Sequence, residues 1–530
     1  MTLITTLLLL ATSASSTAGF TVPAAAAATT ASALYQQQQH TSLFAATIIS
    51  PSQQNDEPQT PLDQVEEESL LAMIGEREND LFDCDASVTY WKEFESLGNE
   101  KNLKRMREIL SRHQLLPSLV NKNNDASRNN SEQQSLSRAY WGSHVLRSGY
   151  FTVNAFLGSV ASDLHERLLS AKNNNNQEIS SSNNSGGMIT RLLDSDIPSR
   201  LLLETLLTYE QDYHWIASGL LQYPWDAVVQ HDAGTNAKSN RLQLNHRQTN
   251  PLFILSETTK AIRESVAIFS RRNSNDKGDN NSKALLWQGK SSAIYPSYYL
   301  NDFHFQTDGW LSTTSAERYE TSTETLFLGR QDAMQRQSLI PLLKQTSAPP
   351  PSSILEVACG TGRFATFVRD NFPDANLTLT DLSPYYLEKA RANDQYWRSF
   401  RTTHMKKPAA DTTSFVQANA EELPFPNNTF DAVLCVYLFH ELPSEARKRA
   451  AAEMVRVVKP GGTIVLTDCM QQGDRSQLAS IANFVKINEP HHPNYVKEGY
   501  LPELFAGCEC GEKFMVSSTK TVSFTKKREE

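Results

Sequence analysis

The 530 residues carry a net charge of −9 and no basic cluster, which excludes nucleic acid as a main partner, because phosphate binding leans on Lys and Arg. The length exceeds one ordinary domain and implies a catalytic unit plus other material. Six cysteines (Cys84, Cys359, Cys435, Cys469, Cys508 and Cys510) are too thinly spread for a disulfide framework, and Cys508-Glu509-Cys510 lacks the second pair that a zinc site needs, so no metal is expected.

Residues 1–19 read as a signal peptide. Leu3 to Ala11 is apolar but too short to cross a bilayer, and small residues follow up to Thr17-Ala18-Gly19. Residues 20–80, alanine- and hydroxyl-rich and without an acid until Asp56, read as a transit-like, disordered linker that includes Glu66-Glu67-Glu68. A signal peptide followed by Ala-Gly-Phe and such a stretch resembles the bipartite plastid presequences of diatoms and related algae, which implies a plastid address. A secretory address is the alternative, favoured by the lack of any Lys or Arg before Arg77. With the leader removed, no stable membrane span is expected.

Residues 81–290 form the expected helical domain. Between 82 and 120, Trp91, Phe94, Leu97, Leu103, Met106, Ile109 and Leu110 recur at helical spacing, and blocks over 140–170, 189–223 and 252–269 keep the same period. Asn-rich patches at 121–130, 173–184 and 273–281 carry too little apolar surface to fold and are expected to be disordered loops. From 295 to 343 aromatics interleave with His304, Gln306, Asp308 and Arg318 at no regular period. This segment is either a cap over a site or an interdomain packing arm.

From 344 to 530 strands and helices alternate as in a doubly wound, Rossmann-like α/β sheet. Ile354 to Val357 is an apolar strand that ends in Ala358, Gly360 and Gly362 and passes into a helix at Phe364. Leu377 to Thr380 is a second strand and delivers Asp381 at its carboxyl end, 25 positions after Glu356. Ligands of open parallel sheets sit outside the carboxyl ends of the strands, where an acid can accept bonds from both hydroxyls of a ribose. The turn Gly360-Thr361-Gly362-Arg363-Phe364-Ala365 also satisfies the G-x-G-x-x-G/A dinucleotide pattern, but Glu356 would repel a pyrophosphate and attract a cation. S-adenosylmethionine, with a sulfonium, an ammonium and no phosphate, suits that charge. Further strands are expected at 415–417, 430–436, 463–467, 513–517 and 521–525. Helices are expected from Ser383-Pro384 through Ala392 and from a capping Ser444 to Val458, with Lys459-Pro460-Gly461-Gly462 as a tight turn.

Leu-Glu-Val-Ala-Cys-Gly-Thr-Gly (355–362), Asn-Ala-Glu-Glu-Leu-Pro-Phe (419–425), Phe-Asp-Ala-Val-Leu-Cys-Val-Tyr-Leu-Phe-His-Glu-Leu (430–442) and Val-Lys-Pro-Gly-Gly-Thr-Ile (458–464) resemble, in this order, the motifs of class I S-adenosylmethionine-dependent methyltransferases, above all those of quinone biosynthesis. The resemblance implies a seven-stranded sheet closed by an antiparallel pair. It implies S-adenosylmethionine as cofactor, held by Glu356, Ala358, Gly360, Gly362, Asp381, Leu382, Asn419, Ala420, Glu421 and Val436. Ala358 stands where the family usually has glycine, the mildest exchange provided its φ stays negative. Asn419 replaces an acid, and its amide oxygen can still accept from the adenine amino group. The same resemblance makes 295–343 a cap, with His304 and Tyr319 in an acceptor pocket that Tyr437 and His440 also border. His440 is the first candidate for a general base, because imidazole titrates near working pH; a histidine that merely lines the pocket is the plainer reading. His491 and His492 read as part of a surface turn. The expected function is methyl transfer to a small, apolar or aromatic, quinone- or phenol-like acceptor. A catalytically silent S-adenosylmethionine-binding assembly factor would keep every motif, and a nicotinamide oxidoreductase would share only the glycine turn.

Overall fold

The structure, a computed structural model, describes residues 99–113, 128–173, 197–230, 241–273, 295–300, 308–345, 349–471, 474, 490–498 and 501–528. The expected signal peptide and transit-like stretch, Cys84 and His304 lie outside the described residues. Among the described residues the amino-terminal part has the α-helices α1 (Asn99–Arg112), α2 (Arg128–Asn173), α3 (Ile197–Ala217) and α4 (Pro251–Asn273). The periodic blocks predicted helices here, but α2 starts inside the first Asn-rich patch, so Asn129 and Asn130 are helical and not loop. None of the described helices is long and apolar enough to cross a membrane.

These helices share their core with the sheet. One buried cluster runs from Ile109, Trp141 and Leu203 through Met334 and Leu339 to Ile354, Leu377 and Leu379. Polar bonds fix the join. Tyr209 donates from its hydroxyl to the Gly329 carbonyl at 3.0 Å, Gln211 Nε2 to the Met515 carbonyl at 2.9 Å, and Trp225 Nε1 to Thr366 Oγ1 at 3.0 Å. Between the helical part and the sheet lie α5 (Thr313–Leu326), α6 (Gln331–Arg336) and α7 (Ile340–Leu343). The Ser312 hydroxyl starts α5 by accepting from the Ser315 N–H at 3.1 Å.

The sheet has seven strands: β1 (Ser353–Val357), β2 (Asn376–Asp381), β3 (Thr413–Gln417), β4 (Phe430–Val436), β5 (Val458–Cys469), β6 (Cys508–Val516) and β7 (Thr519–Lys526). Their order is β3-β2-β1-β4-β5-β7-β6. The first five are parallel, while β7 runs antiparallel to both β5 and β6. Ile354, Leu355, Val433 and Leu434 are fully buried, as uninterrupted apolar runs require of central parallel strands covered on both faces. The crossovers use α8 (Arg363–Asn371), α9 (Pro384–Phe400) and α10 (Ser444–Val457), and α11 (His492–Glu498) precedes β6.

Three local expectations are corrected. Helix α9 runs on to Phe400 past the expected end at Ala392, because Trp397 and Phe400 have core to fill. Ser444 opens α10 but does not cap it; its hydroxyl donates to Glu498 instead. Lys459-Pro460-Gly461-Gly462 is not a turn before β5 but a bulge within it, where the pairing with β4 jumps from Phe430 and Val458 to Ala432 and Thr463.

Candidate active site

Strand order reverses between β1 and β4, which opens a crevice beyond their carboxyl ends. A cleft lies there, lined by Glu356, Ala358, Gly360 and Thr361 from the β1 turn and by Val436 and Tyr437 after β4. Its other wall comes from Tyr319, Glu324, Gln335 and, in the helical part, Arg147 and Gln248. Tyr319 sits on the glycine turn: a Cβ on Gly360 would lie 3.9 Å from its ring. Residues of the segment before β1 thus form part of the cleft wall.

Ala358 is a correction. Its φ is +56°, not negative, and Gly360 and Gly362 follow at +55° and +68°. The chain turns back sharply so that the Cys359 N–H meets the Thr380 carbonyl at 2.8 Å and the Gly360 N–H meets Asp381 Oδ2 at 2.9 Å. Three left-handed residues make that turn, and one of them carries a methyl group. Gly362 has its own reason to be glycine, since a Cβ would lie 2.8 Å from Ala390 Cβ on α9.

Two carboxyls dominate the charge. Glu356 is 2% exposed, and its Oε2 has no hydrogen-bond partner among the described residues. Burial, reinforced by the Asp381 carboxylate, pushes it up to about 8. Asp381 at the tip of β2 is half-buried and accepts from Gly360 and, at 2.8 Å, from the Ser383 N–H; loss of water still carries it up to about 6. On the third strand's loop, Asn419 Oδ1 accepts from the Glu421 N–H at 3.0 Å, so adenine would share an oxygen already used by the turn. Glu421 is held by the Tyr298 hydroxyl at 2.5 Å and by Arg449 Nε at 2.7 Å. Leu382 is buried and Ala420 half-buried beside these tips.

His440 does not line this cleft; Tyr437, three positions earlier, does. His440 is buried, with Nδ1 2.6 Å from Asp468 Oδ1 at the end of β5. Burial alone would raise the Asp468 carboxyl, but the His440 ring and the backbone N–H groups of Cys469 and Phe439 hold it below its ordinary range. Asp468 is thus ionised, so Nδ1 carries the proton and donates, which leaves Nε2 as the basic nitrogen. His492, expected in a surface turn, is 4% exposed and packs with its ring 5.4 Å from that of His440. Asp468 escaped the sequence reading. Its position at a strand's carboxyl end was the available signal.

Behind the turn lies a charge network that the sequence also hid. Arg363, the first residue of α8, pairs with Asp226 and, at 2.7 Å, with Asp332; Arg147 reaches Asp226, Glu324 and Asp332 at 3.2, 2.6 and 2.8 Å. Helical part, cap and glycine turn are tied together by these five groups, four of them buried and Arg147 half-buried.

A nicotinamide-binding sheet of the doubly wound type is parallel throughout, in the order 3-2-1-4-5-6; here a seventh, antiparallel strand is inserted beside β5. Residues 354–462 match the family described as methyltransferase domain. The chain carries a class I S-adenosylmethionine-dependent methyltransferase domain. Similar to this methyltransferase domain are a demethylmenaquinone methyltransferase of Deinococcus radiodurans, 31% identical over 155 residues that are 29% of this chain and 56% of that protein, and a ubiquinone/menaquinone biosynthesis C-methyltransferase, UbiE, of Pasteurella multocida, 32% identical over 136 residues, 26% of this chain and 46% of that one. The chain thus spans about half the length of the curated relatives it matches. The match stops short of the helical part, the cap and the last two strands. The donor set fits the methyltransferase cofactor: an orphaned buried carboxylate oxygen faces where a cation would lie, and a second carboxylate caps the neighbouring strand.

Proposed function

We propose that the chain transfers a methyl group from S-adenosylmethionine to a small, apolar or aromatic acceptor of the quinone or phenol kind. The observation that carries this reading is Glu356 Oε2, buried at the switch point with nothing to bond. An unmet buried acceptor costs about 1–3 kcal/mol, and a cationic ligand recovers it. A pyrophosphate would make the deficit worse.

When bound, the cofactor supplies a methyl carbon activated by positive sulfur. The chain's residues then have to hold and align. Asp381 offers a carboxylate to the ribose hydroxyls, the β1 turn brings its backbone close, and Tyr319 closes the cleft from the cap. Such orientation is worth about 7–11 kcal/mol in well-held systems. Where the acceptor must lose a proton, His440 Nε2 takes it, with Asp468 fixing the ring from the other side. The quinone or phenol class rests on the similarity to quinone-biosynthesis enzymes over part of their length. The address we propose is the plastid, tested by imaging a fusion of residues 1–80 to a fluorescent protein.

Titration calorimetry with S-adenosylmethionine and NADH tests the reading. We expect micromolar binding of the former and none of the latter; the reverse result sinks it. For the base, His440→Ala should lower turnover of a proton-losing acceptor by 10²-fold or more while S-adenosylmethionine affinity stays put. Unchanged turnover removes the role.

A further inference from the structure

The cleft holds more unmet acceptors than Glu356. Glu324 Oε2 and Gln335 Oε1 are likewise buried without a hydrogen-bond partner among the described residues, on side chains 3% and 9% exposed, and both line the same cleft. Three orphaned oxygens in one cavity, each costly to leave unmet, describe a ligand group with several N–H donors. The other cleft acids are spoken for. Asp332 is bonded by Arg147 and Arg363, and Glu320 by Asn393 Nδ2 at 2.6 Å with Arg247 at 3.4 Å. Glu324 keeps Arg147 on Oε1 at 2.6 Å and leaves Oε2 over.

We propose that Glu324 and Gln335 join Glu356 in a three-oxygen seat for the ammonium group of the cofactor's amino-acid end. This rests on the methyltransferase reading. An ammonium presents three N–H donors and one positive charge, which matches three oxygens of which two belong to carboxyls. Glu324 and Gln335 lie on α5 and α6, ahead of the matched residues 354–462, so the cap supplies two thirds of the seat and the glycine-turn strand the rest. The arrangement makes the cap a chemical filter. It selects ligands that carry an ammonium over the bare adenosine portion.

Protonation agrees with this placement. Burial carries Glu324 up to about 7 among Arg147, Asp332, Arg363 and Asp226, and Glu356 to about 8 beside Asp381. Both carboxyls hold protons near neutrality that an arriving ammonium expels.

The test uses the full chain and two probes: S-adenosylhomocysteine, which bears the ammonium, and 5′-methylthioadenosine, which lacks the whole amino-acid end. Wild type should bind the first at least tenfold more tightly. Glu324→Gln and Gln335→Leu should each lower S-adenosylhomocysteine affinity tenfold or more and leave 5′-methylthioadenosine affinity unchanged. In Glu324→Gln, Arg147 retains the amide oxygen, so an NH₂ faces the ammonium. S-adenosylhomocysteine affinities within twofold of wild type in both variants overturn the proposal. If wild type binds neither probe, the methyltransferase reading itself falls. A measurement on wild type alone covers misfolded variants: calorimetry at pH 7 in buffers of different ionisation enthalpy should show protons released by S-adenosylhomocysteine and none by 5′-methylthioadenosine, and equal release overturns the seat.

Discussion

Ala358 and Tyr437 end adjacent strands, line the same cleft and hold φ at +56° and +58°. A side chain in that conformation costs about 1–2 kcal/mol, and it persists only where the surroundings insist. They do insist: the Tyr437 N–H meets the Thr467 carbonyl at 2.8 Å, and its hydroxyl lies 2.6 Å from Thr519 Oγ1. For Ala358 the constraint comes from the bonds of Cys359 and Gly360 on either side of the turn. Ala358→Gly removes the strain and gives back about 0.4–1 kcal/mol of unfolded-state freedom, so a net gain of about 0.5–1 kcal/mol is expected. Urea denaturation should show a higher midpoint at unchanged slope. A lower midpoint would mean that the methyl group's packing outweighs its strain. No residue-type signal in the sequence betrays this position, because alanine is at home in strands' ends and helices alike; only the path of the backbone between β1 and Thr380 demands the left-handed turn.

Gly362 caps α8 at its start, α8 packs on α9, and here the two glycines of the turn separate. A Cβ on Gly362 would lie 2.8 and 3.0 Å from Ala390 Cβ and Cα, so Gly362→Ala must push the helices apart as well as strain the backbone. We expect a loss of about 2–4 kcal/mol. Gly360→Ala meets only the edge of Tyr319 at 3.9 Å and should lose about 1–2 kcal/mol, from backbone strain alone. Denaturation midpoints in the opposite rank would show that the turn, and not the contact of the two helices, governs this region. The elements themselves were legible where burial is two-sided: β1 and β4 are short, largely apolar runs bounded by turn residues, and nothing competes with that pattern. Turn chemistry misled at Lys459-Pro460-Gly461-Gly462, since the same residues suit a bulge. Partnerships across the sequence were out of reach. Asp468 acquires its meaning from His440, 28 positions away, and Arg363 from Asp226, 137 positions away. Local patterns carry no trace of either pair.

Buried charge sets how the whole molecule answers to pH. Burial carries Glu356, Glu324, Asp370 and Asp381 up to about 8, 7, 7 and 6. A carboxyl raised by folding keeps a proton that the unfolded chain has released, so its contribution is present at low pH and fades as pH climbs to the raised value. Buried histidines act the other way. Burial lowers His144 to about 4 and His492 to about 3, and holds His246 low as well. Below about pH 6.5 the unfolded chain takes up protons that these rings refuse, so their contribution grows up to that pH and then levels. Asp332 and Asp468, held low against burial by arginines and by His440, contribute fully above about pH 4 and fade on acidification. From about pH 4.5 to 6.5 the histidines offset most of the carboxyl slope; above it Glu356, Glu324 and Asp370 still titrate in the destabilising direction. The ligand-free protein should therefore be nearly level in stability from pH 5 to 6.5 and weaken from 6.5 to 8. Above pH 7 the decline belongs mostly to Glu356. Glu356→Gln should flatten that part by about 1 kcal/mol, read as a urea midpoint that falls less between pH 7 and pH 8 than that of wild type. A variant that weakens from pH 7 to 8 as steeply as wild type would locate the proton on another group and remove the cation-seeking carboxyl from the centre of the site.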